Sequence, residues 1–215
     1  MLLAALRRDA GTPPEPLTDP YAIVLHENAG YLVDDARRDA LYARLIAAAP
    51  NAAAMLAAPH DTLRAIARDG GMRPDERIGR WRTIASVTLD EADGDLGNKL
   101  RSLPIVQARK LLARFPVIGA PGVDRILLFA GISAVPAVES NGLRVLERYG
   151  AIPTGLPYAR SYRNACAALT GAFGDDGEAL RGAYLLLRRH GKTICRRAVP
   201  ECERCPVQRT CPKNR

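Results

Sequence analysis

The chain has 215 residues, of which 47% are hydrophobic and 25% are charged, and it carries a formal net charge of +8. This length and apolar share suffice for one large domain or two small ones, and they indicate a globular protein. No apolar run approaches the ~20 residues that a membrane-spanning helix needs. The short apolar opening is followed by arginines rather than by a cleavage site, so we expect a cytoplasmic protein without a membrane partner.

Helical spacing of apolar residues dominates the chain. Ala, Leu and Arg are abundant, β-branched runs are scarce, and strands have no clear candidate, so the pattern predicts an all-α fold. The single tryptophan, Trp81, is expected in the core, with a surface role beside its flanking arginines as the alternative. We expect Cys166 to be a buried helix residue.

Two predicted helices separated by a short break occupy the middle of the chain. Ser102 is expected to cap the first helix, with Pro104 in its first turn. Four apolar residues share one face of this helix: Ile105, Ala108, Leu112 and Phe115. The break follows at 115–119, Phe-Pro-Val-Ile-Gly, and a second amphipathic helix then extends to Gly131. The pattern predicts a helix, a hairpin and a second helix.

Four cysteines close the chain with a Cys-x6-Cys-x2-Cys-x5-Cys spacing: Cys195, Cys202, Cys205 and Cys211. Four thiolates on one short loop can surround a metal centre. The unequal gaps argue against paired zinc knuckles and favour a cubane iron-sulfur cluster, with structural zinc as the alternative. Disulfides fit less well, because we expect a cytoplasmic chain and the fifth cysteine leaves an odd number.

The residues after Cys195 are strongly basic. Six arginines and lysines stand there against two glutamates. Positive charge on a metal-closed loop suits the phosphates of a nucleic acid duplex, and Arg196 and Arg197 are the first candidates for such contacts. An ordinary basic surface is the alternative.

The cysteine spacing, its lead-in His190-Gly191 and the predicted hairpin together resemble the endonuclease III and adenine glycosylase superfamily of DNA repair enzymes. The resemblance extends from about Pro20 to Cys211. It implies a six-helix domain over 18–131 that contains the helix-hairpin-helix, and a second helical domain formed by 1–17 and 132–215. It also implies that the four C-terminal cysteines hold a [4Fe-4S] cluster in a loop of the second domain.

The predicted hairpin resembles the superfamily's Leu-Pro-Gly-Val-Gly turn, in which backbone amides hold a DNA phosphate without reading the sequence. The resemblance implies this role for Pro116, Ile118 and Gly119. Val117 stands where the family commonly has glycine, a change that can reshape the hairpin.

Bifunctional members of the superfamily place a catalytic lysine two residues after the last glycine of the hairpin. In this chain that position is Pro121, and proline cannot form a Schiff base there. The resemblance therefore implies a monofunctional glycosylase.

A carboxylate motif follows at Val138 to Val145, Val-Glu-Ser-Asn-Gly-Leu-Arg-Val. It resembles the family motifs Val-Asp-Thr-His-x-x-Arg-Val and Leu-Asp-Gly-Asn-x-x-Arg-Val, with Glu139 in place of the aspartate. The resemblance implies that Glu139 stabilises the positive charge developing on the deoxyribose and orients the attacking water, and that Asn141 and Arg144 contact DNA. The alternative for Glu139 is an ordinary charge at a helix N-terminus.

The segment Pro20 to Glu27, Pro-Tyr-Ala-Ile-Val-Leu-His-Glu, resembles the Pro-Tyr-x-x-x-Leu-x-Glu opening of adenine glycosylases, whose glutamate protonates the leaving base. The resemblance makes Glu27 a candidate general acid, with a pKa raised once a flipped base enters an apolar pocket. His26 and Asn28 can contact that base or fill the gap it leaves, and Tyr31 can stack on a base. A capped histidine and a core tyrosine are the alternatives.

These features predict a base-excision-repair DNA glycosylase that acts as a nucleoid-associated monomer. Its expected partner is double-stranded DNA with a damaged or mismatched base, which it flips out before hydrolysing the N-glycosidic bond. Two alternatives stay open: a bifunctional glycosylase and lyase that uses a non-standard amine, and a DNA-binding paralogue without catalytic activity.

Overall fold

The structure is a computed structural model that describes residues 2–10 and 15–214. No strand occurs in these two ranges, and the predicted all-α fold is confirmed. The described α-helices are α1 Leu2–Ala10, α2 Pro20–Glu27, α3 Asp35–Ala48, α4 Ala52–Ala57, α5 His60–Ala67, α6 Pro74–Ala92, α7 Leu96–Ser102, α8 Ile105–Leu112, α9 Ala120–Phe129, α10 Ser140–Tyr149, α11 Tyr158–Phe173 and α12 Gly177–Thr193. Within the described ranges, no helix combines the length and apolarity needed to cross a membrane.

Short polar side chains start many of these helices. In each case a side-chain oxygen accepts a hydrogen bond from the backbone N–H three residues further along, which satisfies one of the unpaired amides of the first turn. The residues that do this are Asp19 for α2, Asp34 for α3, Asn51 for α4, Asp95 for α7 and Asp176 for α12. These helix starts are therefore encoded by the local sequence.

The chain divides into two compact units. One unit is Leu17–Ile126, here called the hairpin unit. The other combines Met1–Pro16 with Leu127–Arg215 and is here called the cysteine unit. The division falls inside α9, so the hairpin and the first turns of α9 belong to the hairpin unit.

Helix α6 provides the centre of the hairpin unit's core. Trp81 is fully buried on α6, and its indole Nε1 donates a hydrogen bond to the carbonyl of Asn28 at 3.1 Å. The prediction that Trp81 packs in the core is confirmed. Arg77, one turn earlier, is also buried. Its guanidinium donates hydrogen bonds to three backbone carbonyls that precede α6 in the chain. These acceptors are Ala67 at 2.7 Å, Gly70 at 2.6 Å and Met72 at 2.9 Å.

The helix-hairpin-helix is present, but its first helix begins later than predicted. Ser102 ends α7, and its hydroxyl donates to the carbonyl of Lys99 at 2.8 Å, so the predicted cap is wrong. The reason is Pro104, which disfavours helical backbone at the residue before it and so separates α7 from α8. Pro104 itself is the N-cap residue of α8.

One residue of the predicted apolar face is exposed rather than buried. Ile105, the first residue of α8, is 42% exposed, because the later start of the helix leaves it outside the packed turns. The other three residues of that face are buried: Ala108, Leu112 and Phe115.

In the cysteine unit, α10 packs closely on α12, and two glycines make this approach possible. A Cβ atom on Gly191 would lie 2.5 Å from the carbonyl oxygen of Asn141, and one on Gly142 would lie 3.1 Å from the Cβ of Leu187. Any side chain at these positions would push the two helices apart. The glycines thus bring α10 against the helix that leads into the cysteine loop.

Cys166 lies on α11 as predicted, but it is half-buried rather than buried. Its thiol donates to the carbonyl of Pro136 at 3.5 Å. The prediction of full burial is wrong, because Cys166 stands at the edge of the buried face of α11, next to the exposed residues Ala167 and Ala168.

Candidate functional site

Glu139 is fixed at the N-terminus of α10 by two hydrogen bonds. It is the N-cap residue, and its Oε1 accepts from the backbone N–H of Gly142 at 2.8 Å. Its Oε2 accepts from the side-chain amide Nδ2 of Asn141 at 2.7 Å. Both oxygens of a half-buried carboxylate are therefore held by neutral donors, so the orientation of the group is set before any ligand arrives.

Asn141 and Arg144 continue this network into the unit. The guanidinium of Arg144 donates from Nη2 to Asn141 Oδ1 at 2.8 Å and to the carbonyl of Gly191 at 2.6 Å. Its Nε donates to the carbonyl of Cys195 at 3.0 Å. Both residues are predicted DNA contacts, and the structure places their side chains between Glu139 and the start of the cysteine loop.

The four C-terminal cysteines line one cavity in the cysteine unit, together with His190 and Arg148. All five cysteines of the chain lie in the described ranges, and none forms a disulfide, so the disulfide alternative is wrong. Burial raises the pKa of the Cys205 thiol, and the nearby thiols of the other three loop cysteines raise it further against a backbone hydrogen bond from Val207. The four sulfurs therefore lie close enough to influence one another.

Four thiols on one cavity are the donor set that a [4Fe-4S] cluster or a structural zinc ion requires. Four thiolates on one zinc, each about 2.3 Å from the metal, have to lie within about 4 Å of one another. Among the described residues, no group of three or more His, Cys, Asp or Glu side chains is placed to hold one metal ion. In a cubane cluster each thiolate binds a different iron, so the sulfurs stand further apart around a shared cavity. The number and the kind of the donors on this cavity, four cysteine thiols, fit such a cluster.

Two residues outside the cysteine motif contact the sulfurs. His190 is buried at the end of α12, with its Nε2 3.6 Å from Cys205 Sγ, and burial lowers its pKa against the opposing charge of Asp9. Arg148 lies one helical turn after Arg144, and its Nη1 is 3.5 Å from Cys195 Sγ.

Arg148 also holds the backbone of the cysteine loop. Its guanidinium donates to the carbonyls of Arg196 at 2.7 Å and Arg197 at 3.0 Å. Sequence reasoning missed this residue, although its spacing of four from Arg144 places both on one face of α10.

The basic residues of the loop lie at the surface. Arg196 and Arg197 are both exposed, as contacts to phosphates require. Arg196 and Arg204 form ion pairs with the same carboxylate, Glu201, which offsets part of their charge.

The hairpin between α8 and α9 has an unusual tip. Val117 has a φ of 68°, in the left-handed region that a β-branched residue rarely adopts, and its side chain is 64% exposed. Ile118 is buried, whereas Gly119 is exposed at the start of α9. Pro121, in the first turn of α9, supplies no N–H. The hairpin therefore offers an anion fewer first-turn amides than a non-proline sequence would.

Asn28 ties the end of α2 to this hairpin. It is buried, and its Nδ2 donates to the carbonyls of Val24 and Pro116, both at 3.0 Å. Its Oδ1 is buried and has no hydrogen-bond partner within the described ranges. The predicted contact residue is thus engaged inside the unit, where it supports the position of the hairpin backbone.

Glu27, the last residue of α2, forms an ion pair and a hydrogen bond with Arg125 of α9. Burial alone would raise the pKa of Glu27, but the charge and hydrogen bond of Arg125, with the charges of Arg38 and His26, hold the pKa below its ordinary value. The expected rise in pKa is therefore opposed by a partner that sequence reasoning missed. The two residues are 98 positions apart, and no local pattern connects them.

The aromatic neighbours of Glu27 differ in their environments. His26 Nε2 lies 2.7 Å from Asp39 Oδ1, and its ring meets Tyr42 edge-on with centroids 5.4 Å apart. Tyr31 is 51% exposed on the loop after α2, so the alternative of a core tyrosine is wrong. Stacking of Tyr31 on a base stays a prediction.

The fold is the one found in endonuclease III and in a thymine-DNA glycosylase, which confirms the resemblance at the level of the fold. An endonuclease III trapped as a covalent intermediate with DNA, in an estranged-adenine complex, is similar with a TM-score of 0.78 and 15% identity, over 99% of this chain and 93% of that one. A thermostable thymine-DNA glycosylase is similar with a TM-score of 0.78 and 19% identity, over 99% and 93%. A non-covalent endonuclease III–DNA complex is similar with a TM-score of 0.77 and 15% identity, over 99% and 92%. No protein-family model matches the sequence, and no curated protein matches it.

Proposed function

We propose that this chain is a monofunctional DNA glycosylase of base-excision repair that acts as a monomer on double-stranded DNA. The observation that carries the proposal is the fixed carboxylate of Glu139, held by the N–H of Gly142 and the amide of Asn141. A negative group already oriented in place stabilises a developing cation without reorganisation during the reaction. The likeness of the fold to endonuclease III and thymine-DNA glycosylase supports the same reading.

In the proposed reaction, one nucleotide with a damaged or mismatched base is flipped out of the duplex. Glu139 stabilises the positive charge on the deoxyribose as the N-glycosidic bond breaks, and it orients the water that attacks C1′. The backbone around Pro116, Ile118 and Gly119 holds a phosphate, and the exposed Arg196 and Arg197 bind further phosphates.

Hydrolysis rather than strand cleavage follows from the residue at the lysine position, Pro121. The chain has only four lysines, none of which stands at that position: Lys99, Lys110, Lys192 and Lys213. Without an amine at this position, no side chain there can form a covalent imine with the abasic sugar.

We also propose that Cys195, Cys202, Cys205 and Cys211 hold a [4Fe-4S] cluster. When bound, the cluster closes the C-terminal loop as a rigid scaffold. Arg148 then fixes the backbone on which Arg196 and Arg197 are displayed. The basic loop would in this way be ordered for the DNA backbone.

The central test measures base release from a panel of lesion-containing duplexes under single-turnover conditions. Glu139→Gln removes the charge, and its rate on the best substrate should fall by roughly a hundredfold or more. The control is Glu178→Gln, which removes a carboxylate that is 82% exposed on α12 and should leave the rate unchanged. Binding of the same duplex by Glu139→Gln and its thermal melting should stay close to those of wild type.

Three outcomes separate the alternatives. Wild type that binds the duplexes but releases no base contradicts the enzyme proposal and identifies a DNA-binding paralogue. A covalent adduct after borohydride treatment on an abasic duplex identifies a lyase with an amine elsewhere in the chain. Base release without an adduct is the expected result.

The cofactor proposal has a separate test. Purified protein should be brown and contain about four iron and four sulfide per chain. Replacement of Cys202 with serine should reduce the iron content and the visible absorbance. A colourless protein with one zinc per chain would contradict the cluster.

A further inference from the structure

The ion pair of Glu27 and Arg125 lies in the hairpin unit and has no part in the mechanism proposed so far. Both side chains are mostly but not fully buried, with 31% of the Glu27 side chain and 20% of the Arg125 side chain exposed. Arg38 of α3 is a second positive group near the carboxylate. The Nε of Arg38 is buried and has no hydrogen-bond partner in the ranges that the structure describes. Two guanidinium groups therefore act on one carboxylate.

Arg125 occupies an informative place on α9. It stands four residues after Pro121, so both residues lie on one face of the helix. Pro121 is the position at which the resemblance would place a catalytic amine. A guanidinium stays protonated throughout the working pH range and so is no nucleophile, but it is a strong hydrogen-bond donor to oxygen. The cation on this face is thus suited to binding rather than to imine chemistry.

The partner of Arg125 is correspondingly unsuited to proton donation. Glu27 has a lowered pKa in spite of its burial, because Arg125 and then Arg38 and His26 favour the ionised form. His26 is itself paired with Asp39. An ionised carboxylate accepts hydrogen bonds and has no proton to give to a leaving base.

Building on the proposed glycosylase activity, we infer that Glu27 and Arg125 form a base-recognition pair that selects bases with a ring N–H beside a carbonyl. Glu27 accepts the ring N–H, and Arg125 donates to the adjacent carbonyl oxygen. An ion-paired guanidinium and carboxylate can bind a third group that offers one donor and one acceptor, since the two together carry several donors and acceptor sites. Uracil, thymine and hypoxanthine belong to this chemical class, and adenine does not.

The same pair assists departure of such a base. When the bond between C1′ and the ring nitrogen breaks, its electron pair stays with the base and delocalises onto the carbonyl oxygen that Arg125 holds. Water adds its oxygen to C1′ and releases a proton, and the base anion takes up a proton from water after release. The products are an abasic sugar and a neutral base. Adenine leaves most easily after protonation, for which an ionised Glu27 offers no proton.

The first test needs no variant. Wild type is assayed on duplexes that carry uracil, thymine or hypoxanthine in a mispair, and on duplexes with mispaired adenine. We expect release of the carbonyl bases and none of adenine. We also expect the rate on uracil to stay level from about pH 5 to about pH 8, because no carboxyl proton is required.

The second test uses variants and a better leaving group. Arg125→Met should slow uracil release by roughly a hundredfold. The loss should shrink on 5-fluorouracil, because fluorine stabilises the departing anion without help from the protein. Glu27→Gln keeps an acceptor oxygen and should stay within about tenfold of wild type, whereas loss of a general acid costs about 10²–10⁴-fold.

Arg109→Met is the matched control. Arg109 of α8 pairs with Asp124, the residue before Arg125 on α9, so its loss tests the cost of a broken ion pair as such. The control should not change the ratio of rates on uracil and 5-fluorouracil. If Arg125→Met fails to fold, as judged by melting, the double variant Glu27→Gln with Arg125→Gln removes both charges and should give the same sensitivity to the leaving group.

The outcomes distinguish this inference from the function on which it rests. Preferred release of adenine, with a rate that falls as the pH rises above about 5 and an inactive Glu27→Gln, would identify Glu27 as a general acid. That result would overturn the inference and leave the glycosylase intact. No base release by wild type from any duplex would overturn both.

Discussion

Glu27 and Glu139 are the same residue type at the end of a helix, but their surroundings are opposite. Glu139 caps the N-terminus of α10 and is bonded to two neutral donors, the N–H of Gly142 and the amide of Asn141. Glu27 ends α2 and is paired with the guanidinium of Arg125. The charge of Glu139 is therefore oriented by neutral donors, whereas the charge of Glu27 is neutralised by a guanidinium.

This difference shows that residue type alone does not define a catalytic role. A carboxylate held by neutral groups keeps its negative charge for a cation that develops in a reaction. A carboxylate held by an arginine is a fixed acceptor, and its partner is a fixed donor. The resemblance to adenine glycosylases suggests a proton donor at Glu27, and the ion pair favours a recognition role instead.

The greatest loss of stability is expected when the network beside Glu139 loses Arg144. Arg144→Met removes the donor that serves Asn141 and the carbonyls of Gly191 and Cys195. The carbonyl of Gly191 then loses this donor, and the carbonyl of Cys195 keeps only the longer hydrogen bond from Arg148 at 3.4 Å. The free energy of unfolding should therefore fall by about 3 kcal/mol. Urea denaturation followed by circular dichroism measures the change.

The matched control for this variant is Arg160→Met on α11, where the side chain is exposed. It should change the free energy of unfolding by less than about 0.5 kcal/mol. A loss equal to that of Arg144→Met would mean that the network from Asn141 to Cys195 contributes nothing specific.

The sequence predicted the parts of this molecule that are encoded over short distances. The four cysteines lie within a short C-terminal segment, so their spacing alone indicates a shared centre. Glu139 and Asn141 are two residues apart and share one motif. The all-α fold is likewise indicated by the local spacing of apolar residues.

The parts that the sequence did not predict depend on contacts between distant residues or on two local signals that compete. Arg125 lies 98 residues from Glu27, and nothing near either residue indicates the pair. Ser102 can cap a following helix or end a preceding one, and the backbone restriction imposed by Pro104 decides for the second. The ion pair was missed because its residues are far apart in the chain, and the end of α7 was missed because the effect of Pro104 outweighs the capping preference of Ser102.

The next effect acts on the Glu139 side through shape rather than charge. Gly191→Ala would place a Cβ atom 2.5 Å from the carbonyl oxygen of Asn141, and the backbone of α10 or α12 has to move. We expect a loss of about 2 kcal/mol in the free energy of unfolding. Displacement of Asn141 should also slow base release, because its amide orients Glu139.

Gly171→Ala on α11 is the control for this substitution, since among the described residues nothing beyond its own helix lies within 4 Å of the added Cβ. That variant should be neutral or more stable by up to about 1 kcal/mol, because alanine favours the helix. Equal losses at the two positions would show that helix propensity, not the approach of α10 to α12, explains the result.

Lowering the pH should reduce the stability that the Glu27–Arg125 pair contributes, and this is the weakest of the effects. The pKa of Glu27 in the folded chain lies below its ordinary value, so the pair stabilises the fold above the unfolded pKa of about 4.3 and loses this contribution as the pH falls through the folded value. Wild type should therefore exceed Glu27→Gln in the free energy of unfolding by about 1 kcal/mol at about pH 6, and the difference should shrink at about pH 3.

Glu76→Gln, which removes an exposed partner of Arg73, should differ from wild type by less than about 0.5 kcal/mol at both pH values. A difference for Glu27→Gln that is the same at both pH values would show that Arg125 does not hold this carboxylate in its ionised form, and Glu27 would again be a candidate proton donor.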